Sequence, residues 1–171
     1  IGANLLEVNL LDSAKICLEK SLELAKKANA KRAIAVAYWS LGELELKQKN
    51  SENALDYFIQ AESIATEAKD KDIELDALSG QSMAMIGIRN KKEIIEAISR
   101  ADKHLEIYSD DIGLITRRNF AKQSALVWEL IKEPEMAIKK LNSWYALDSL
   151  IQKKNTQSAL ATQAALLRSD V

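Results

Sequence analysis

The sequence holds one cysteine, one proline, one histidine and five glycines in 171 residues. A single thiol, Cys17, excludes an internal disulfide framework, a cysteine-built zinc site and a paired redox motif. A single histidine, His104, excludes any centre that needs two; with Arg100, Ala101, Ile107 and Tyr108 on the same helix face, it reads as a surface or half-buried side chain. Glycine is too scattered for a phosphate-cradling loop, and Gly80 and Gly87 stand alone. Charge of one sign is also missing: 24 Lys and Arg balance 25 Asp and Glu, so no long-range field draws nucleic acid or anionic lipid to this surface. No apolar run approaches the roughly 20 residues that span a bilayer, and the first residues lack the charged-then-apolar layout of a signal peptide. The chain opens on Ile1 rather than Met, so the expectation is a processed or excised piece of a longer protein.

What remains is a mixture of Ala, Leu, Lys, Glu, Ile and Ser, the residues of helices, with an apolar fraction of 47% that suits a packed core. The pattern repeats. Asn50 to Ala61 reads NSENALDYFIQA, and Asn90 to Ala101 reads NKKEIIEAISRA, forty residues on. Forty residues earlier, Ala14, Leu18 and Ser21 match Ala54, Phe58 and Ala61; a later copy aligns Ala137, Leu141 and Trp144 at a spacing of 43. Each unit contains two segments with apolar residues three and four apart, the stripe by which a helix buries one side. Short polar breaks separate them, as at Gln48-Lys49-Asn50, and connections this short make consecutive helices antiparallel neighbours. The spacing predicts helices over 3–8, 11–28, 31–48, 51–69, 72–88, 91–108, 112–132, 134–152 and 155–168. Pro134 suits a first helical turn, where its missing N–H costs nothing.

Tyr38-x-x-Leu41-Gly42 followed by Ala54-x-x-x-Phe58-x-x-Ala61 resembles the tetratricopeptide repeat, whose pattern is a bulky aromatic, Leu-Gly, then Ala, an aromatic and Ala. Small residues at Gly42 and Ala54 allow two helices a close crossing, and Tyr38, Leu41 and Phe58 fill the space around it. The chain departs from the family pattern in three respects. Glu45 stands where Tyr is usual, no Pro ends the second helix, and the period is 40 rather than about 34. Later units keep only small residues at the crossing, Gln81-Ser82 and Ser124-Ala125. Ile1-Gly2 aligns with Leu41-Gly42, which implies that the first helix lacks its opening turns. A second likeness, Tyr145-Ala146-Leu147-Asp148-Ser149-Leu150 followed by Asn155 and a further helix, is similar to the end of such arrays in bacterial membrane-anchored sensor histidine kinases and related regulators.

The resemblance implies an all-α fold, a right-handed α-solenoid of antiparallel helix pairs in a single domain over 1–171, with units at about 1–30, 31–70, 71–110 and 111–152 and a C-terminal capping helix at 155–168. It implies a scaffold or sensory module, not an enzyme, that binds a protein or peptide through the concave face lined by the first helix of each pair. Carried over by alignment, that face holds Trp39, Glu43, Leu46, Met83, Ile86, Lys122, Leu126 and Glu129. The alternative is a structural spacer or dimerisation region of a bacterial signalling protein, pairing with a second copy through apolar residues of the last helix such as Leu160, Ala164 and Leu167. The residues show no catalytic constellation, cofactor motif or metal-ligand spacing, and neither nucleic acid nor a membrane is expected as a partner of this segment. Its compartment is cytoplasmic or periplasmic if it belongs to a membrane-anchored sensor. Cys17, on an apolar side between Ala14 and Ser21, reads as inert packing, and the carboxylates beside lysines, as in Glu19 with Lys15, read as solvated faces. Arg117-Arg118 with Lys122 reads as an exposed helix face that could also grip an acidic peptide.

Overall fold

The computed structural model describes residues 11–169, with side chains through 162. Among them are seven helices and no strand: α1 (Leu11–Lys27), α2 (Lys31–Lys47), α3 (Ser51–Ala68), α4 (Lys71–Ala84), α5 (Lys91–Ile107), α6 (Leu114–Leu130) and α7 (Pro134–Ser169). The helix expected at 3–8 lies outside the described residues. Consecutive helices pack as antiparallel neighbours, and α4 also lies against both α2 and α6, so these three sit side by side.

The odd-numbered helices α1, α3 and α5 each bury a single stripe. In α3 it is Ala54, Leu55, Phe58, Ala61 and Ala65; in α5 it is Ile94, Ala97, Ile98 and Ala101. These include the positions aligned in the sequence, and Ala14 and Leu18 of α1 are buried likewise. In α7 the match is partial, since Ala137 is buried and Leu141 is exposed. Helix α4 differs. From Ile73 to Ala84 every residue but Asp76 and Met83 is buried, because α2, α3, α5 and α6 surround the helix, and a helix so enclosed has no broad polar face. Its buried polar groups are satisfied: Gln81 donates to Glu62 at 2.6 Å, Ser79 to Gln123 at 2.6 Å and Ser82 to the Ser79 carbonyl at 2.7 Å.

Close packing around α4 centres on Phe58. Its ring is fully buried between Gly42 of α2 and Gly80 of α4, and a β-carbon built on either glycine would stand 2.7 Å or 2.5 Å from Phe58 Cε1. Burying such a ring stabilises the fold by about 1.5–3 kcal/mol.

The turns reuse one device. The N–H groups of Ala30, Asn50, Asp70 and Glu133 reach back to the carbonyls of Ala25, Glu45, Ala65 and Trp128 at 2.9–3.0 Å, closing the helix ends that precede them. The residue before each, Asn29, Lys49, Lys69 or Lys132, takes a φ of +51° to +63°, a conformation in which glycine is usual. Of the helices that follow, α4 starts on a side-chain cap, Asp70 accepting from the Ile73 N–H at 3.1 Å; α5, which follows the Gly87 turn, does the same with Asn90, which accepts from the Glu93 N–H at 3.0 Å.

Three expectations need correction. Residues 155–168 are not a separate capping helix but the end of α7, which runs unbroken to Ser169 because neither Gly nor Pro interrupts 135–169. Helix α4 stops at Ala84 instead of 88, since Gly87 at a φ of +83° turns the chain even though the apolar pattern continues through Met85, Ile86 and Ile88. The carboxylates are not all on solvated faces. Glu45, only 1% exposed, bonds Lys15 of α1 at 2.9 Å and Asn50 at 2.9 Å, so its charge is held inside the α1–α2–α3 junction. Glu74 is buried too, bonded by Lys71 at 2.9 Å and facing His104 Nε2 at 3.5 Å. His104 itself is half-buried, close to the Lys71 carbonyl at 3.2 Å.

Candidate functional site

The side-by-side placement of α2, α4 and α6 creates a cavity of about 350 Å³, lined by Arg32, Val36 and Trp39 of α2, Asp72, Ile73 and Asp76 of α4, and Gly113 and Thr116 at the start of α6. The α2 wall offers apolar surface from Val36 and Trp39. The other carries carboxylates. Asp72 and Asp76 stand at i and i+4 on one face of α4, a spacing that sets like charges against each other.

Each carboxylate has a different setting. Asp72 Oδ1 accepts the Gly113 N–H at 2.9 Å, which ties α4 to the positive end of α6. Asp70 is buried at the start of α4, capping it and pairing with Arg32 across the gap to α2. Asp76 is the unusual one: burial, together with the charges of Asp72, Glu43 and Asp70, raises its pKa to about 7. Glu43 is also raised, by burial first, with Lys47 acting in the opposite direction. An acid that titrates near neutrality in a cleft marks a candidate site for binding or proton exchange. No group of three His, Cys, Asp or Glu side chains among the described residues is close enough to hold a metal ion.

The residues assigned to this face by alignment fall into three settings. Trp39 lines the cavity while packing against the Phe58 cluster, and Glu43 acts on Asp76 through its charge. Leu46 is half-buried against that same cluster, whereas Met83 and Ile86 pack against Ile94, Ile98, Val127 and Trp128. Lys122, Leu126 and Glu129 are exposed on α6, with the Lys122 ammonium 6.0 Å from the centre of the Trp144 ring. The structure therefore brings Trp39 and Glu43 to one place and leaves the other six elsewhere. Sequence reasoning missed Asp72, Asp76, Arg32 and Thr116. The repelling i, i+4 pair of Asp72 and Asp76 was the available signal.

A second, apolar groove runs between α1 and α2, where Cys17, Leu18 and Leu24 face Val36, Ala37 and Ser40. Cys17 is half-buried on its wall. No helix among the described residues is long and apolar enough to cross a membrane. No model of a known protein family matches the chain, and no curated protein matches it.

Proposed function

We propose that this chain is a tetratricopeptide-like array of helix pairs that binds a protein or peptide segment across the face where α2, α4 and α6 lie side by side. The observation that carries the reading is the cavity spanning all three helices, with Trp39 on one wall and carboxylates on the other. An aromatic side chain that is half-buried and still open to a cleft is the usual anchor of a protein interface, and the helices beneath it are packed tightly enough to hold it in place. The sequence pattern around Tyr38, Leu41, Gly42, Ala54, Phe58 and Ala61 supports the same reading.

Selection of random dodecapeptides displayed on phage against the purified chain tests it. Enriched peptides are expected to bind with micromolar affinity, to lose at least tenfold on Trp39→Ala, and to tolerate Glu96→Ala on the exposed side of α5. Peptides that bind the Trp39→Ala protein unchanged would place recognition elsewhere.

One feature favours a second reading, in which the chain pairs with its own copy. Ile138, Leu141 and Tyr145 form an exposed stripe on α7 at i, i+3 and i+7, and Leu160 is 61% exposed further along. Sedimentation equilibrium at high protein concentration separates the two, since a strict monomer removes this alternative.

A further inference from the structure

Room and charge in the α2–α4–α6 cavity do not match. At about 350 Å³ it lies near the lower end of small-ligand sites, too small for a helix and sufficient for one long side chain. Its lining includes one cation, Arg32, whose guanidinium is already engaged by Asp70. The charges that act on Asp76 are all acidic: Asp72 and Asp70 on its own helix and Glu43 from α2. From α6 the cavity receives only Gly113 and Thr116, which carry no charge. Asp76 makes no hydrogen bond or ion pair within the described residues, while its neighbour Asp72 is held by the Gly113 N–H. An unpartnered carboxyl beside an indole and two aliphatic side chains is half of a complementary pair. A metal ion does not complete it, because these carboxylates do not converge as ligands.

We infer that this cavity receives the side chain of a lysine or arginine presented by the bound segment, with its aliphatic stem along Val36 and Trp39 and its cationic head on Asp76 and Asp72. The inference rests on the peptide-binding reading and names the residue class which that reading leaves open. Long basic side chains suit such a site, since their methylene stems cover apolar surface while the charged end seeks a carboxylate. The indole face adds attraction for the cation. Docking on Asp76 drives off its proton, so binding strengthens as pH rises through about 7, where this carboxyl titrates.

The probe is Nα-acetyl-lysine methylamide, titrated into the 15N-labelled chain and followed by NMR, with the norleucine analogue as the neutral control of equal stem. A saturable shift of the Trp39 indole N–H is expected, at least tenfold tighter for lysine than for norleucine and strengthening several-fold from pH 6 to pH 8. Asp76→Asn, whose fold the same spectra report, should remove the preference for lysine and its pH dependence. Equal shifts for both probes, a shift that avoids Trp39, or a lysine preference that survives Asp76→Asn overturns the inference. The two proposals fail separately. Selected peptides that need Trp39 but tolerate every lysine and arginine replaced by norleucine would refute the cation pocket alone. A lysine probe that binds when no peptide is enriched would refute the peptide-binding reading alone.

Discussion

Phe58 Cε1 lies 2.5 Å from where a β-carbon on Gly80 would stand, and the ring's opposite neighbour is Gly42 at a comparable 2.7 Å. The aromatic side chain of α3 is thus set against bare backbone of both α2 and α4. Neither glycine has the positive φ that only glycine accepts easily, so their purpose here is space.

Gly80→Ala therefore forces the buried ring out of its rotamer or pushes α4 away. A loss of about 1–3 kcal/mol is expected, although alanine is the better helix former. Gly42→Ala should cost a similar amount. Urea denaturation monitored by circular dichroism measures both. A Gly80→Ala protein as stable as the parent would mean that the ring moves freely. Adding Phe58→Leu to Gly80→Ala should recover part of the loss, because the smaller side chain leaves the new methyl its room.

Two carboxylates shift in opposite directions, and stability follows with opposite signs. Glu45 pays desolvation first, but its bonds from Lys15 and Asn50 outweigh that and hold its pKa below the ordinary value of 4.5. It therefore adds stability above about pH 4.5, and that contribution disappears as pH falls through the folded-state pKa. Lys15→Met should destabilise the chain at pH 7 by about 1–3 kcal/mol, by leaving the buried carboxylate short of its cation. Asp76, raised from 3.8 to about 7, acts in reverse: the fold keeps a proton that the unfolded chain releases between these values, so ionisation erodes stability as pH rises across that window. Asp76→Asn should come close to the parent near pH 4 and exceed it by about 4 kcal/mol at pH 8, since the carboxyl's pKa rises by about three pH units at about 1.36 kcal/mol each. Thermal melts from pH 4 to pH 8 decide this, and a constant difference between variant and parent would contradict it.

Three lysines in the left-handed conformation stand where the helix ends call for glycine. Lys49 and Lys132, at φ of +63° and +62°, close α2 and α6 and are both exposed. Lys49→Gly and Lys132→Gly should each stabilise by about 0.5–1 kcal/mol, the relief of an unfavourable backbone exceeding the entropy that glycine adds to the unfolded chain. Differential scanning calorimetry should show a higher melting temperature for each. A lower one would show that the lysine side chains contribute more than their backbone costs.

Most helix limits were legible in the sequence because short polar breaks interrupt apolar stripes, and α1, α2, α3 and α5 begin and end within a residue of their expected positions. The exceptions have local causes. At Met85-Ile86-Gly87-Ile88 the apolar pattern outlasts the helix, and at Lys153-Lys154 the polarity suggested a break that the backbone does not make. The site was less legible. Trp39 could be singled out because an aromatic next to Tyr38 must face another way, but Asp76 has no local mark beyond its spacing from Asp72. Its pKa depends on Glu43, 33 positions earlier, and on the burial that assembly of the helices provides. Glu45 was visible only as a departure from a pattern; its partner Lys15 lies 30 residues away.

Helix α7 is rooted against α6 by its early turns, and its side chains from 152 through 162 are all exposed. From 152 to 169 it projects as a rod about 26 Å long, at roughly 1.5 Å per residue. Leverage follows from that length. A tilt of about 10° where α7 meets α6 carries the far end through about 4–5 Å, so a small rearrangement of the last helix pair becomes a large displacement of the helix tip.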